Sequence, residues 1–326
     1  MHLRTCTVAA IFVLRLVMGQ AKAQLEQNVY MDKCPEAEAI IKRVVRSAVM
    51  RNRGLAAGLL RMHFHDCFVN GCDASVLLDS TSTNQAEKDS IVNNPSLHGF
   101  EMIDEAKAAL EAKCPGEVSC ADILAFAARD GVEMLGGEPW QVRWGRRDGT
   151  ISRAADVIAN IPAPFFNLQQ LKRNFAAKGF TPDEMITLSG AHTIGQSHCA
   201  AFSNRLYNFS STSSQDPTLD PRYAKELKAR CPQNNANPAT VVLMDPLTPD
   251  CFDSAYFIDV KRRQGLFTSD ASLLTDTASA AIVYTNAEEE DDWLSKFAEA
   301  MVKMSEIEVK TAPQGQIRKN CHVVNH

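Results

Sequence analysis

Apolar residues recur at three- and four-residue steps along most of the chain. Ala37, Ile40, Ile41, Val44 and Val45 form one such stripe. Ile123, Leu124, Ala127 and Ala128 form a second, and Phe297, Ala300, Met301 and Met304 a third. This spacing gathers side chains on one face of a helix and predicts amphipathic helices. Residues 55–64 read as a further helix. Thr181 to Glu184 mark a helix start: Thr181 caps, Pro182 takes the first helical position and Glu184 completes a capping box. Strict alternation of apolar and polar residues is scarce, so the fold class is mainly α. Turn-rich stretches fall at 79–99, 136–164, 208–221 and 231–250. Within the second, Pro162 and Pro164 make Asn160–Pro164 a rigid extended turn. None is a Ser/Gly linker and no solenoid period is visible. One compact domain is expected, with any boundary between two helical lobes near 136–164.

The N-terminus breaks the helical pattern. Arg4 precedes two apolar runs, Val8–Leu14 and Leu16–Met18, separated by Arg15, and Ala21-Lys22-Ala23 follows as a small-x-small cleavage site. This is the layout of a secretory signal peptide, so residues 1–23 are expected to leave and 24–326 to form the mature domain. The run is far short of a spanning helix, and no later stretch approaches that length. With 45% hydrophobic and 22% charged residues among 326, the composition is globular and excludes a disordered chain. A net charge of −5 lacks the basic excess of a nucleic-acid binder. Ten cysteines fit an oxidising compartment. Cys6 would leave with the signal segment, so an odd number remains, and one stays free or pairs between chains if the others form bridges. In a secreted chain, Asn208-Phe209-Ser210 is a glycosylation sequon.

The chemistry concentrates in residues 61–75, Arg-Met-His-Phe-His-Asp-Cys-Phe-Val-Asn-Gly-Cys-Asp-Ala-Ser. Arg61 and His65 are four apart and share a helical face. An imidazole that moves a proton between two oxygens, beside a fixed cation that stabilises developing charge, is what peroxide cleavage needs. Phe64 would wall such a pocket, and His63 lies off the face. The same pair also fits an exposed helix surface. A metal site from His63, His65 and Asp66 is a further reading, although histidines two apart on a helix point away from each other. Asp66, Asp73 and Ser75, with Val69 and Gly71 between them, offer hard oxygen ligands at alternating loop positions, which suits calcium. They also fit turn-forming acids. Cys67 and Cys72 bracket the segment and could close it as a small ring.

Residues 61–75 resemble the distal signature of the secretory plant haem peroxidases (class III). Leu188–Gly195, Leu-Ser-Gly-Ala-His-Thr-Ile-Gly, resembles their proximal signature. Val118-Ser-Cys-Ala-Asp122, Gly145-Arg-Arg-Asp148, Asn160–Pro164 and Gly315–Cys321 match in family order, so the resemblance runs from about residue 24 to the C-terminus. It implies a two-lobed helical fold with one haem b between a distal and a proximal helix. It implies a donor:hydrogen-peroxide oxidoreductase that turns peroxide to water while oxidising phenolic or other small aromatic donors by one-electron steps. On this resemblance Arg61, His65 and Asn93 are the distal catalytic residues, His192 the axial iron ligand, and Asp270 its carboxylate partner. Two calcium ions are implied. One is held by Asp66, Val69, Gly71, Asp73 and Ser75, with Glu87 linked to it; the other by Thr193, Asp245, Thr248, the Cys251 carbonyl and Asp253. Pro162 matches a donor-contact position. The implied bridges are Cys34–Cys114, Cys67–Cys72, Cys120–Cys321 and Cys199–Cys231, which leave Cys251 as a free thiol. Asp122 and Arg146 match a buried ion pair.

Four departures bear on substrate preference. Met244 stands where the family usually has an aromatic, Cys251 has no partner, Met304-Ser305 replaces a usual Met-Gly, and residues 288–292 form an acidic run that reads as a solvated surface. The expected molecule is a secreted monomer of the cell wall or apoplast rather than the vacuole, without membrane span or nucleic-acid partner. Two competitors are a secreted binding protein on the same scaffold without catalysis, and a metal hydrolase using His63, His65 and Asp66.

Overall fold

The computed structural model describes residues 25–26, 29–234 and 237–326. The expected signal segment, including Cys6, lies outside the described residues. The helices in chain order are α1 (Ala37–Arg51), α2 (Gly54–Asn70), α3 (Phe100–Lys113), α4 (Cys120–Met134), α5 (Ala154–Asn160), α6 (Leu168–Ala177) and α7 (Pro182–Ser189). They continue with α8 (Ser203–Leu206), α9 (Pro221–Arg230), α10 (Ala255–Lys261), α11 (Thr268–Ser272), α12 (Thr277–Glu288) and α13 (Glu290–Met304). The described strands are β1 (Gln196–His198) and β2 (Val241–Leu243), an antiparallel ribbon with Ser197 opposite Val242. The fold is mainly α.

The α1 stripe is buried throughout and packs on α3 and α4. α7 begins with the full capping box of Thr181 and Glu184, with Pro182 in its first turn. α4 departs from the expected amphipathic form. Every residue from Cys120 to Val132 is buried, because α1, α2 and α3 all pack on it. Its small residues Ala121, Ala125 and Ala128 allow this close approach. Its polar residues are paired: Asp122 with Arg146 at 2.9 Å, and Arg129 with Asp130 and Glu38, both at 2.7 Å.

The main core joins α1–α4 to α6, α7, α10, α12 and α13. It runs unbroken through the turn-rich 136–164 stretch, where Trp140, Val142, Trp144 and Ile161 are buried and where α5 forms. The separate, smaller cluster lies elsewhere, around Phe202, Leu206, Tyr223, Leu227, Val242, Met244 and Leu266. Four disulfides staple the molecule. Cys34–Cys114 ties the approach to α1 to the end of α3, Cys120–Cys321 ties α4 to the C-terminal segment, Cys199–Cys231 braces the smaller cluster, and Cys67–Cys72 closes the end of α2. Bridges of this kind contribute roughly 2–4 kcal/mol each, more for long loops, and Cys120–Cys321 spans 201 residues. Cys251 is free and exposed. Among the described residues, no helix is long and apolar enough to cross a membrane.

Candidate active site

α2 runs six residues past the expected end at Phe64, to Asn70. It stops at Gly71, whose φ is 82°, and any Cβ there would sit 2.6 Å from the Glu308 carbonyl oxygen. The distal segment is therefore only partly a loop: Asp66 and Val69 belong to the last turns of the helix, and only 71–75 turn away from it. Arg61 and His65 share one face of α2, as their spacing requires.

His65 is buried, and its Nδ1 lies 2.7 Å from Asn93 Oδ1. Asn93 Nδ2 donates to the Glu87 carbonyl at 2.8 Å, which fixes the amide orientation. Oδ1 therefore accepts, His65 Nδ1 carries the proton, and Nε2 presents a lone pair. Burial, then the Arg61 charge, push the imidazole well below the ordinary histidine value, so it stays neutral, with its lone pair free to accept a proton. Arg61 donates from Nη1 to the Ser96 carbonyl at 2.8 Å and from Nη2 to the Val92 carbonyl at 3.1 Å. Burial lowers its guanidinium to about 10, which still leaves it charged at neutral pH. Its partners are neutral, so no carboxylate cancels that charge. Phe64 packs on Phe68 at 4.2 Å and edge-on to His65 at 5.8 Å.

His63 faces away. Its Nε2 meets Ser305 Oγ at 2.8 Å, and its ring lies beside the Cys67–Cys72 bridge. Both sulfurs are committed to that bond, so this group offers no metal site. With His63 on Ser305 and His65 on Asn93, the hydrolase arrangement with Asp66 does not assemble. Ser305, the departure from Met-Gly, also presents its carbonyl to Arg146.

His192 follows α7 on the short turn Gly190–Thr193. Gly190 is required there, because a Cβ would lie 2.5 Å from the Trp293 ring. His192 Nδ1 meets Asp270 Oδ1 at 2.9 Å. Asp270 is buried and also accepts from the Tyr256 hydroxyl at 3.0 Å and the Phe267 amide at 2.8 Å. The carboxylate can only accept, so His192 Nδ1 donates and Nε2 is the nitrogen left free to ligate a metal. Tyr256 and Phe267 flank the imidazole edge-on at 5.7 and 5.3 Å. Tyr256 gave no signal in the sequence, because a tyrosine within Ala255-Tyr-Phe-Ile258 reads as core.

These residues fit haem. The buried body of α2 is relieved by a half-buried stripe of Leu55, Ala57, Gly58, Arg61 and Phe64. A Cβ on Gly195 would lie 3.0 Å from that of Ala57, so the His192 segment comes against this same stripe. His192 is 38% exposed at its side chain, and its Nε2 makes no hydrogen bond within the described residues. An apolar wall with one free imidazole nitrogen suits a planar iron macrocycle.

Two oxygen clusters flank the site. Asp66, Asp73, Ser75 and Glu87 are all buried. Asp66 accepts from the Ala74 amide at 2.9 Å, Asp73 contacts Lys310, and Glu87 accepts from Asn70 at 2.8 Å. Burial, together with the Asp73 and Glu87 charges, raises the Asp66 carboxyl well above its usual range, and burial pushes Glu87 to about 8. Glu87 Oε2 has no partner. Three buried acids facing one ammonium are short of positive charge, so the donor set suits a hard cation. In the second cluster Thr193 Oγ1 donates to Asp253 at 3.0 Å, and Thr248 Oγ1 to Asp245 at 3.0 Å. Cys251 sits on the turn between Thr248 and Asp253.

Met244 is buried in the smaller core, with its amide donating to the Gly195 carbonyl. The acidic run spans the joint between α12 and α13. Its residues are exposed, yet Glu290 accepts from the Ser254 amide at 3.0 Å and Glu288 pairs with Lys261 at 2.8 Å. Pro162 is half-buried, and Asn208 is exposed.

Comparison with known proteins agrees with this geometry. A family model described as "Peroxidase" matches residues 41–289. The chain is 56% identical to Peroxidase 5 of Vitis vinifera, covering 97% of this chain and 96% of that protein. It is 48% identical to Peroxidase 3 of Arabidopsis thaliana (96% of each) and 46% identical to Peroxidase 1 of Zea mays (98% and 88%). The chain belongs to the peroxidase family, in its class III plant branch. It is a haem-dependent enzyme with peroxidase activity.

Proposed function

We propose that this peroxidase reduces hydrogen peroxide at a single haem b ligated by His192, and oxidises phenolic or other small aromatic donors one electron at a time. The observation that carries this reading is the fixed tautomer of His65. With Nδ1 committed to Asn93, the Nε2 lone pair is left free, under the charge of a guanidinium without a counter-charge. Bound haem supplies an iron centre that stores the oxidising equivalents of peroxide and passes them to donors. His65 Nε2 takes the proton from one peroxide oxygen and returns it to the departing one, so that water leaves. Arg61 stabilises the negative charge that develops between those oxygens. Asp270 holds His192 in its ligating tautomer and increases its basicity. Pro162, half-buried beside the exposed Phe165, would contact aromatic donors at the haem edge. Purified protein supplemented with haem should show a Soret band that shifts on adding peroxide; a protein without that band sinks the proposal.

The two oxygen clusters are read as calcium sites. Asp66, Asp73 and Ser75 with the carbonyls of Val69 and Gly71 form one, linked to His65 through Glu87 and Asn93. Thr193, Asp245, Thr248, Asp253 and the Cys251 carbonyl form the other, next to His192. Chelation should lower the melting temperature, because buried carboxylates are then left without a counter-ion. An unchanged melting temperature with excess chelator rules out both sites.

Residues 24–326 are read as the mature, secreted, monomeric domain. The signal layout and four disulfides support export. Asn208 is the glycan acceptor in this reading.

A further inference from the structure

Asp259 has no part in the activity derived above. It lies on α10, is 1% exposed, and neither of its carboxylate oxygens meets a hydrogen-bond donor. Its carboxylate abuts that of Asp245, and the Asp253 charge also bears on it. The contrast with Asp245 is sharp. Asp245 accepts from the amides of Leu247 and Thr248 and from the hydroxyl of Thr248. Asp259 accepts from none of these.

Three carboxylates, Asp245, Asp253 and Asp259, therefore converge on the turn that carries Thr193, against which α10 packs. None of them forms a salt bridge among the described residues. The cation that acts on Asp259, Arg262, is itself exposed. A buried carboxylate without donor or counter-ion is costly, and one set against a second carboxylate is costlier. A divalent cation among these oxygens removes both penalties.

We propose that Asp259 is a third carboxylate of the cation site formed by Thr193, Asp245, Thr248 and Asp253, and that its charge tightens calcium binding there. This rests on the calcium reading of that cluster. The rival arrangement is a proton shared between Asp245 and Asp259, in which Asp259 contributes nothing to the ion.

The test uses haem-loaded protein stripped with chelator and titrated with calcium by calorimetry, and with terbium by luminescence. Wild type should take up two ions. Asp259→Asn should weaken one of the two by about tenfold or more, because affinity follows ligand charge. The same substitution should lower the melting temperature of calcium-loaded protein and raise that of stripped protein. That reversal of sign separates an ion-binding role from a packing role. Asp259→Ser serves as a second variant where Asp259→Asn fails to accumulate. Unchanged affinities in the variant, or the same sign of melting shift with and without calcium, overturn the proposal. Asp245→Asn is the control for the underlying reading. If it leaves both affinities of the wild type unaltered, the cluster is not a calcium site at all.

Discussion

Replacing His65 with alanine should slow the reaction with peroxide by about 10²–10⁴ while leaving haem content nearly unchanged. The two readouts separate because His65 does not contribute to the iron-holding side of the site. Its hydrogen bond goes to Asn93, whose amide is anchored on the Glu87 carbonyl, and that chain runs toward the distal acid cluster rather than toward His192. Stopped-flow rates against peroxide concentration, with the Soret absorbance as a haem count, give both quantities from one preparation. Equal loss of haem and rate would make His65 a structural residue. The wild-type pH profile carries a matching expectation. A base must be deprotonated, and burial with the Arg61 charge holds the His65 value well below ordinary histidine. The peroxide rate should therefore persist through the range where a free imidazole protonates and fall only in more acid solution. A fall centred on the ordinary value would show that the shift is absent. Asn93→Ala should reduce the same rate by freeing the tautomer, and the haem should again remain.

Much of this site was legible because its residues obey helical spacing or sit in contiguous motifs. Arg61 and His65 had to share a face once residues 55–64 were helical, and the capping residues Thr181 and Glu184 placed the start of α7 at Pro182, about three turns before His192. Contacts between distant segments were not legible. His63 meets Ser305, Lys310 meets Asp73 and Glu290 meets Ser254 across 242, 237 and 36 positions, and no local pattern encodes such pairs. α4 reads as amphipathic from its periodicity for a related reason. Its alanines count as apolar on one face, but their small size on the others is what lets three helices close around it. Asp259 and Tyr256 were invisible because a single acid or tyrosine in an apolar run has no spacing partner. The disulfide pairing could be carried only by family resemblance, since spacing alone leaves about 105 pairings of eight cysteines open.

Two substitutions behind His192 should move the haem in opposite directions. Asp270 Oδ1 accepts from both His192 Nδ1 and the Tyr256 hydroxyl, at 2.9 and 3.0 Å. The phenol competes with the imidazole for the same oxygen's electron density. Burial, then the Asp270 charge, raise the Tyr256 hydroxyl far above its usual value, so it remains a protonated donor at any working pH. Asp270→Asn removes the negative charge behind His192, which lowers ligand basicity, raises the iron reduction potential and should cost about 10–100-fold in activity. Tyr256→Phe keeps the ring and removes only the competing donor. Asp270 then accepts more strongly from His192, and the potential should fall. The check is the midpoint potential of both variants, with the iron–imidazole stretching frequency by resonance Raman as an independent measure of ligand strength. That frequency should drop in Asp270→Asn and rise in Tyr256→Phe. If Tyr256 served only to fill space, Tyr256→Phe would leave both measurements at their wild-type values, since no carbon is lost. Shifts of the same sign in the two variants would mean that the carboxylate acts through packing rather than through its charge.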